Sequence, residues 1–301
     1  MDAGQINQGA LQDESLSSSH PSTGSFRDDR EDSRDPETWK ELHGGRLSEM
    51  VHTATLAGDH TLKYFGAFDL VVDAKTDDSP VTIADREAED LVRRRIGQLF
   101  AGDAVAGEEM EDKPGHSGYR WIVDPIDGTK SFICGVPLYS TLLALEFENE
   151  IVGGVIMLPA LRTTLTAAIG YGCYQKQGTT GWNRTFCRDH RSIDQCVFVH
   201  SQADSFAARG AESVYQSIRG RAAITRTWGD GYGYAMVATG RADVMIDPEC
   251  NLWDVAAVLP VIVESGGRFS NWKGEVTAGG GDGVGCGAGV YEEVLRTLRV
   301  D

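Results

Sequence analysis

Two aspartates, Asp124 and Asp127, stand three positions apart around a proline in the run Trp121-Ile-Val-Asp-Pro-Ile-Asp-Gly-Thr-Lys130. Carboxylate oxygens are what hard divalent cations take as ligands. The Gly128-Thr129 turn behind them offers backbone N–H groups to an anion. Apolar Trp121, Ile122 and Val123 read as a buried strand that ends at the first aspartate and fixes its position. The run therefore predicts a cation held beside a phosphate. Three further acids are candidates for the same site. Glu108 follows the strand-like Ala104-Val-Ala106, Asp85 lies near the start of a helix behind Pro80-Val-Thr-Ile83, and Asp254 opens the helical Trp253-Asp-Val-Ala-Ala-Val258. Each has a plainer reading: Asp254 as a charge complementing a helix dipole, Glu108 as a solvated loop acid.

The elements that must position these acids are legible in outline. Helical spacing covers Leu42 to Phe65 and Val81 to Phe100, and Leu70-Val-Val72 and Ala104-Val-Ala106 read as short strands. Lys75 to Pro80 is a turn, and Tyr139–Phe147 and Ile151–Leu158 form a meander across Glu148-Asn-Glu150. Beyond a polar stretch at 175–192, strands at Val197–His200 and Ala242–Ile246 alternate with helices at Phe206–Ile218, Gly231–Thr239 and Trp253–Glu264, which suggests an α/β unit. The run Gly279 to Gly287 lacks the spacing of a dinucleotide fingerprint and is expected to be a loop before a last helix, Val290–Leu298. Residues 1–40 are Ser-rich and charged, with too few apolar groups to offset ordering entropy, and are expected to be a disordered tail. The expected organisation is that tail, a metal-binding α+β part over 41–185, and an α/β part over 186–301.

Of 301 residues, 41% are hydrophobic, enough for a substantial core, and the net charge is −17. That charge repels nucleic acid and anionic membrane, so neither is an expected partner, and a phosphorylated substrate would need local cations. The six cysteines form no C-x-x-C pair, which suits a reducing cytoplasm. No apolar run reaches the roughly 18 residues of a membrane span, and the N-terminus has no signal-peptide pattern.

Taken jointly, Gly107-Glu-Glu109, Trp121 to Thr129, Trp253-Asp-Val-Ala-Ala257, Glu264-Ser-Gly-Gly267 and the upstream Val81-Thr-Ile-Ala-Asp85 resemble the magnesium-dependent inositol monophosphatase-like phosphatases over residues 46–301. The resemblance implies an α/β fold, an αβαβα layered sandwich, and a homodimer. It implies two to three Mg2+ ions. The first would be held by Glu108, Asp124 and the carbonyl of Ile126, the second by Asp124, Asp127 and Asp254, and a third, weaker ion by Glu108. Asp85 and Thr129 would orient a metal-activated water, and Gly128 and Thr129 would donate backbone N–H groups to the phosphate. The chemistry stands on its own terms, since paired cations can neutralise a monoester dianion and activate water.

Two segments bear on the ester. Asp127-Gly-Thr-Lys-Ser-Phe-Ile-Cys-Gly-Val-Pro-Leu-Tyr139 and Trp228 to Asp243 resemble the histidinol-phosphatase branch, as does Asp247-Pro-Glu-Cys-Asn-Leu-Trp-Asp254. Histidinol phosphate is cationic at its amine and titratable at its imidazole. Asp230 and Asp247 would pair with that charge, with Glu249 and Asn251 as further contacts. Asp230 could instead be a helix N-cap, or both. Ser140 stands where that branch has glycine, and Gly172 to Gln177 departs from its usual ending; both departures bear on the pocket rim and subunit contacts. The alternative is an inositol-1-monophosphatase or broad sugar-phosphate phosphatase, and more remotely an inactive binding homologue.

Overall fold

The computed structural model describes residues 35–75 and 79–299. The tail expected over 1–40 therefore lies almost wholly outside the described residues, as does the middle of the turn at 75–80. Its last residues are folded: Pro36–Glu41 is a 3-10 turn capped by Asp35, and Trp39 is fully buried.

The chain runs through α1 (Arg46–Thr61), β1 (Val72–Ala74), β2 (Pro80–Thr82), α2 (Ile83–Leu99), β3 (Ala104–Gly107) and β4 (Tyr119–Asp127). A one-turn α3 (Thr129–Ile133) leads to β5 (Ser140–Phe147), β6 (Glu150–Leu158), β7 (Thr163–Ala168), β8 (Gly172–Gln177) and β9 (Asn183–Arg184). Then follow β10 (Val197–Val199), α4 (Asp204–Ala208), α5 (Glu212–Arg221), β11 (Ile224–Arg226), α6 (Asp230–Ala238) and β12 (Val244–Asp247). The last elements are α7 (Leu252–Ala256), α8 (Val258–Glu264), β13 (Gly267–Ser270), β14 (Gly283–Gly287) and α9 (Tyr291–Leu298).

Strands β3 to β9 form one sheet in chain order, antiparallel except for the parallel pair β3 and β4. A second sheet has the order β11-β10-β12-β14-β13, parallel across its first three strands. Side-chain alternation sorts the layers. Trp121, Val123, Leu143 and Leu145 face α1 and α2, while Ile122, Leu142 and Ala144 face α6 to α8. Met245 joins that middle layer from the other side, and its neighbours Val244 and Ile246 face α5 and α9. The sequence of layers is thus helix, sheet, helix, sheet, helix. The divide expected at 185 falls between the two sheets, yet the apolar cluster around α6 to α8 draws on both.

Several elements differ from expectation, each for a local reason. The helix expected from Val81 begins at Ile83, because Pro80–Thr82 pairs with β1 and the Thr82 hydroxyl caps α2. In Leu70-Val-Val72 only Val72 enters a ladder, which continues to Ala74. The helix expected over Phe206–Ile218 is split at Gly210, whose φ is +77°. That over Trp253–Glu264 divides at Ala257, because Pro260 has no N–H for the Ala256 carbonyl. The polar stretch expected to be a boundary carries the end of β8 and all of β9. The glycine run expected to be a loop supplies β14, a central strand. Glycine is needed there: a Cβ on Gly285 would come within 2.9 Å of the Tyr234 ring.

Among the described residues no helix is long and apolar enough to cross a membrane. Trp39 packs edge-on against Tyr171 and Tyr174 at ring distances of 6.4 and 6.2 Å. Trp39→Ala is expected to lower stability by about 3–5 kcal/mol in urea unfolding, as large-to-small core changes do. A loss below about 1 kcal/mol would show that the fold begins after the 3-10 turn.

Candidate active site

The acids arrive at one place because strands end there. Glu108 follows β3, Asp124 and Asp127 close β4, Ser201 follows β10, Asp230 follows β11 and Asp247 ends β12. Carboxyl ends of parallel strands are where open α/β sheets leave a crevice. A cavity of about 360 Å3 opens at this point. Glu108, Asp124, Ile126, Asp127, Gly128, Thr129, Asp230, Asp247 and Asp254 all line it.

Asp124 and Asp127 share the cavity through an irregularity. Residues three apart on a regular strand face opposite sides. Here Asp124 pairs with Leu142 but Asp127 with Ser140, so β4 holds one residue more than β5 between the two pairs. This bulge turns both carboxylates the same way. The Pro125 carbonyl it frees accepts the Thr141 hydroxyl at 2.8 Å.

Each acid is held separately. Asp127 Oδ2 accepts the Gly231 N–H at 2.6 Å and the Ser140 hydroxyl. Ser140 therefore acts inside the site, where the sequence suggested an effect at the rim or between subunits. A Cβ on Gly231 would lie 2.3 Å from Ser140 Oγ and 2.7 Å from Asp127 Oδ2. Asp254 sits in the first turn of α7 and accepts the Asn251 N–H at 2.6 Å, so its helix-terminal and cavity-lining readings both hold. Thr129 Oγ1 donates to the Ile126 carbonyl at 3.1 Å.

Asp85 is placed differently. It is fully buried in the first turn of α2 and does not line the cavity. Its Oδ2 accepts the Thr82 N–H and hydroxyl at 2.8 and 2.6 Å, and its Oδ1 has no partner. Asp230 is not an N-cap: Gly229 takes that position, and Asp230, the first helical residue, has a left-handed φ of +56°. The Ser201 hydroxyl accepts the Asp230 N–H at 3.1 Å and donates to Asp247 Oδ1 at 2.6 Å. A Cβ on Gly128 would lie 2.9 Å from Asp230 Oδ2.

Sequence reasoning missed Ser201, Gln202 and Lys75. Lys75 Nζ bonds both Glu108 and Glu109 at 2.7 Å. Burial opposes its charge, but these two bonds outweigh it and hold the amine protonated. Gln202 accepts from Lys130 Nζ at 3.1 Å on the cavity wall. Ser201 follows a parallel strand, a position that invites inspection once the sheet is known; Lys75 carried no pattern.

The electrostatics ask for cations. Burial, then the charges of Glu108, Asp127 and Asp254, push the Asp124 carboxyl well above its usual range. Burial and Asp230 do the same to Asp127. Asp254 and Asp247 are pushed up to about 7, chiefly by burial. Asp124 Oδ1 is buried without a hydrogen-bond partner. Crowded, desolvated carboxylates with a free inward oxygen fit a divalent cation with oxygen ligands.

The model of the inositol monophosphatase family matches residues 47–300. A histidinol-phosphatase of Chlorobaculum parvum is 39% identical over 79% of this chain and 90% of its own. A histidinol-phosphatase of Mycobacterium tuberculosis is 36% identical over 82% and 95% respectively. The solved structure of a Thermotoga maritima IMPase superposes with a TM-score of 0.75 at 27% identity, covering 84% of this chain and 96% of that one.

The raised carboxyls give a signed expectation. A carboxyl that keeps its proton to about 7 when folded binds more protons than the unfolded chain between about pH 4 and 7. Metal-free stability should therefore fall as pH rises through that window, and added Mg2+ should restore it most at the upper end. Thermal melts with chelator or Mg2+ at pH 5 and 7.5 measure this. Equal stabilisation by Mg2+ at both values would count against a cation among these acids.

Proposed function

The chain belongs to the inositol monophosphatase family and is a phosphoric monoester hydrolase, and from that premise we propose that its substrate is L-histidinol phosphate. One observation carries the choice: the acids Asp230 and Asp247, joined through Ser201, line the same cavity as Glu108, Asp124, Asp127 and Asp254. A substrate with an ammonium and an imidazole gains ion pairs from that wall, whereas a polyol gains only hydrogen bonds. The similar histidinol-phosphatases point the same way.

Glu108, Asp124, Asp127, Asp254 and the Ile126 carbonyl would hold two to three Mg2+ ions. Bound magnesium supplies charge neutralisation for the phosphate and a water of lowered pKa. The chain's own groups do the rest. The backbone N–H groups of Gly128 and Thr129 are assigned to the phosphate oxygens. Thr129 Oγ is assigned to the attacking water; Asp85 does not line the cavity, and its free Oδ1 would reach that water only if the site shifts on binding. Gly231 and Ser140 keep Asp127 aimed inward while it is ionised. Asp230 and Asp247 orient the amino-alcohol end, with Glu249 and Asn251 at the same wall. A cytoplasmic homodimer belongs to the same reading, and the six free thiols suit it.

Phosphate release from L-histidinol phosphate and inositol 1-phosphate, with and without Mg2+, tests the substrate. A clear preference for histidinol phosphate is expected, and a preference for inositol phosphate would replace this reading with an inositol monophosphatase. Asp230→Asn should raise KM for histidinol phosphate about tenfold or more, as losing one buried charge-assisted bond does, with little change on inositol phosphate. Asp254→Asn should abolish turnover on both esters with the fold intact by circular dichroism. A wild-type rate would refute its assignment to the cation.

A further inference from the structure

Outside the active site, a second set of donor atoms converges where the segment after β9 meets the start of β12. His190 Nδ1 lies 2.8 Å from Asp243 Oδ1. Neither atom has a hydrogen-bond partner of acceptable geometry, although the Asp243 side chain is only 1% exposed. Cys196 completes the set: one donor atom from each of His190, Cys196 and Asp243 lies within 4.8 Å of the others. The other Asp243 oxygen is already committed. Oδ2 accepts the Val197 N–H at 2.7 Å and faces Arg188 at 3.4 Å. Those two contacts fix the carboxylate and leave Oδ1 directed at the imidazole.

We propose that His190, Cys196 and Asp243 form a binding site for a thiophilic divalent cation, with zinc the ion that suits the donor set. One thiolate sulfur, one imidazole nitrogen and one carboxylate oxygen are all zinc ligands, at about 2.3, 2.0 and 2.1 Å. Magnesium demands oxygen and rejects this set, just as the all-oxygen active site offers zinc no thiolate.

The charges balance. A dication with one thiolate and one carboxylate is neutral, and the Arg188 guanidinium that also faces Asp243 is 38% exposed and can be solvated. In the metal-free chain Cys196 Sγ donates to the Ser192 carbonyl at 3.2 Å. Binding breaks that contact, forms the sulfur–metal bond and releases the thiol proton to water. Burial, with the charges of Asp243, Glu293 and Asp194 and against that of Arg188, pushes this thiol up, so the cation must displace its proton. His190 is 38% exposed, which provides an entry path and leaves room for a water as fourth ligand. The physical effect is a clip. His190 and Cys196 belong to the segment that leads from one sheet to the other, and Asp243 precedes the central strand β12.

Cobalt(II) reports the site directly, because a thiolate–cobalt bond gives a near-ultraviolet charge-transfer band that oxygen ligands cannot give. The full chain is stripped with chelator, saturated with Mg2+ and titrated with Co2+. The band should appear at one equivalent and be discharged by Zn2+. It should be lost in Cys196→Ser and in His190→Gln, and kept in Asp124→Asn. His190 is half-exposed, so His190→Gln keeps the fold, and Zn2+ should raise the melting temperature of the wild type but not of this variant. No thiolate band in the wild type, or a band that survives Cys196→Ser, overturns the site. A pH-dependent melt without metal binding would overturn it too, reducing the contact to a His190–Asp243 ion pair.

Discussion

Like charges brought together out of water are the constraint on which this structure depends. Six carboxylates, Glu108, Asp124, Asp127, Asp230, Asp247 and Asp254, line one cavity together with the exposed Glu249. Charged side chains this close oppose folding unless protons, hydrogen bonds or cations intervene. The surrounding architecture supplies the second of these. Gly231 and Ser140 bond Asp127, Asn251 bonds Asp254, Ser201 bonds Asp247, and Lys75 pairs with Glu108. Bound cations would supply the third. The sandwich is in this sense a rigid frame that opposes the mutual repulsion of its own active-site groups.

That frame needs both sheets. Three of the acids come from the ends of β3 and β4, and two from the ends of β11 and β12. Asp254 comes from the helical layer between them. The apolar cluster around α6 to α8, drawing on Ile122 and Leu142 from one side and Met245 and Phe269 from the other, sets the separation. Site geometry and core packing are therefore one problem, and a volume change in the middle layer would be felt as a change in ligand spacing.

Much of this was legible in the residues. The acids announced themselves because carboxylates beside Gly-Thr at a strand end have few other uses, and the layered α/β class followed from the resemblance that those acids carry. What was hidden has physical reasons. The bulge between Asp124 and Asp127 depends on register with β5, which no local pattern encodes. β14 looked like a loop because glycine is a poor strand former on its own; only the Tyr234 ring across the layer requires it. Asp230 looked like a cap because caps are what aspartate before a helix usually makes, and its left-handed backbone is imposed by tertiary contacts. Lys75 and Ser201 meet their acids only through chain folding, at separations of 33 and 46 residues.

Gly128 and Gly231 each sit tight against the acids they border. Neither has room for a methyl group: Asp230 occupies the space beside one, and Ser140 with Asp127 the space beside the other. Gly128 lines the cavity and Gly231 supports Asp127 from behind, so bare backbone stands against the acids at both places. Side chains such as Gln202, Ser205 and Glu249 border the same cavity away from these two glycines' contacts. On the proposed reading, the wall is divided into a part that would define how an ester is cut and cannot vary, and a part that would meet the rest of the substrate and can. A scaffold partitioned this way can change its clientele over evolutionary time while its cutting machinery stays still.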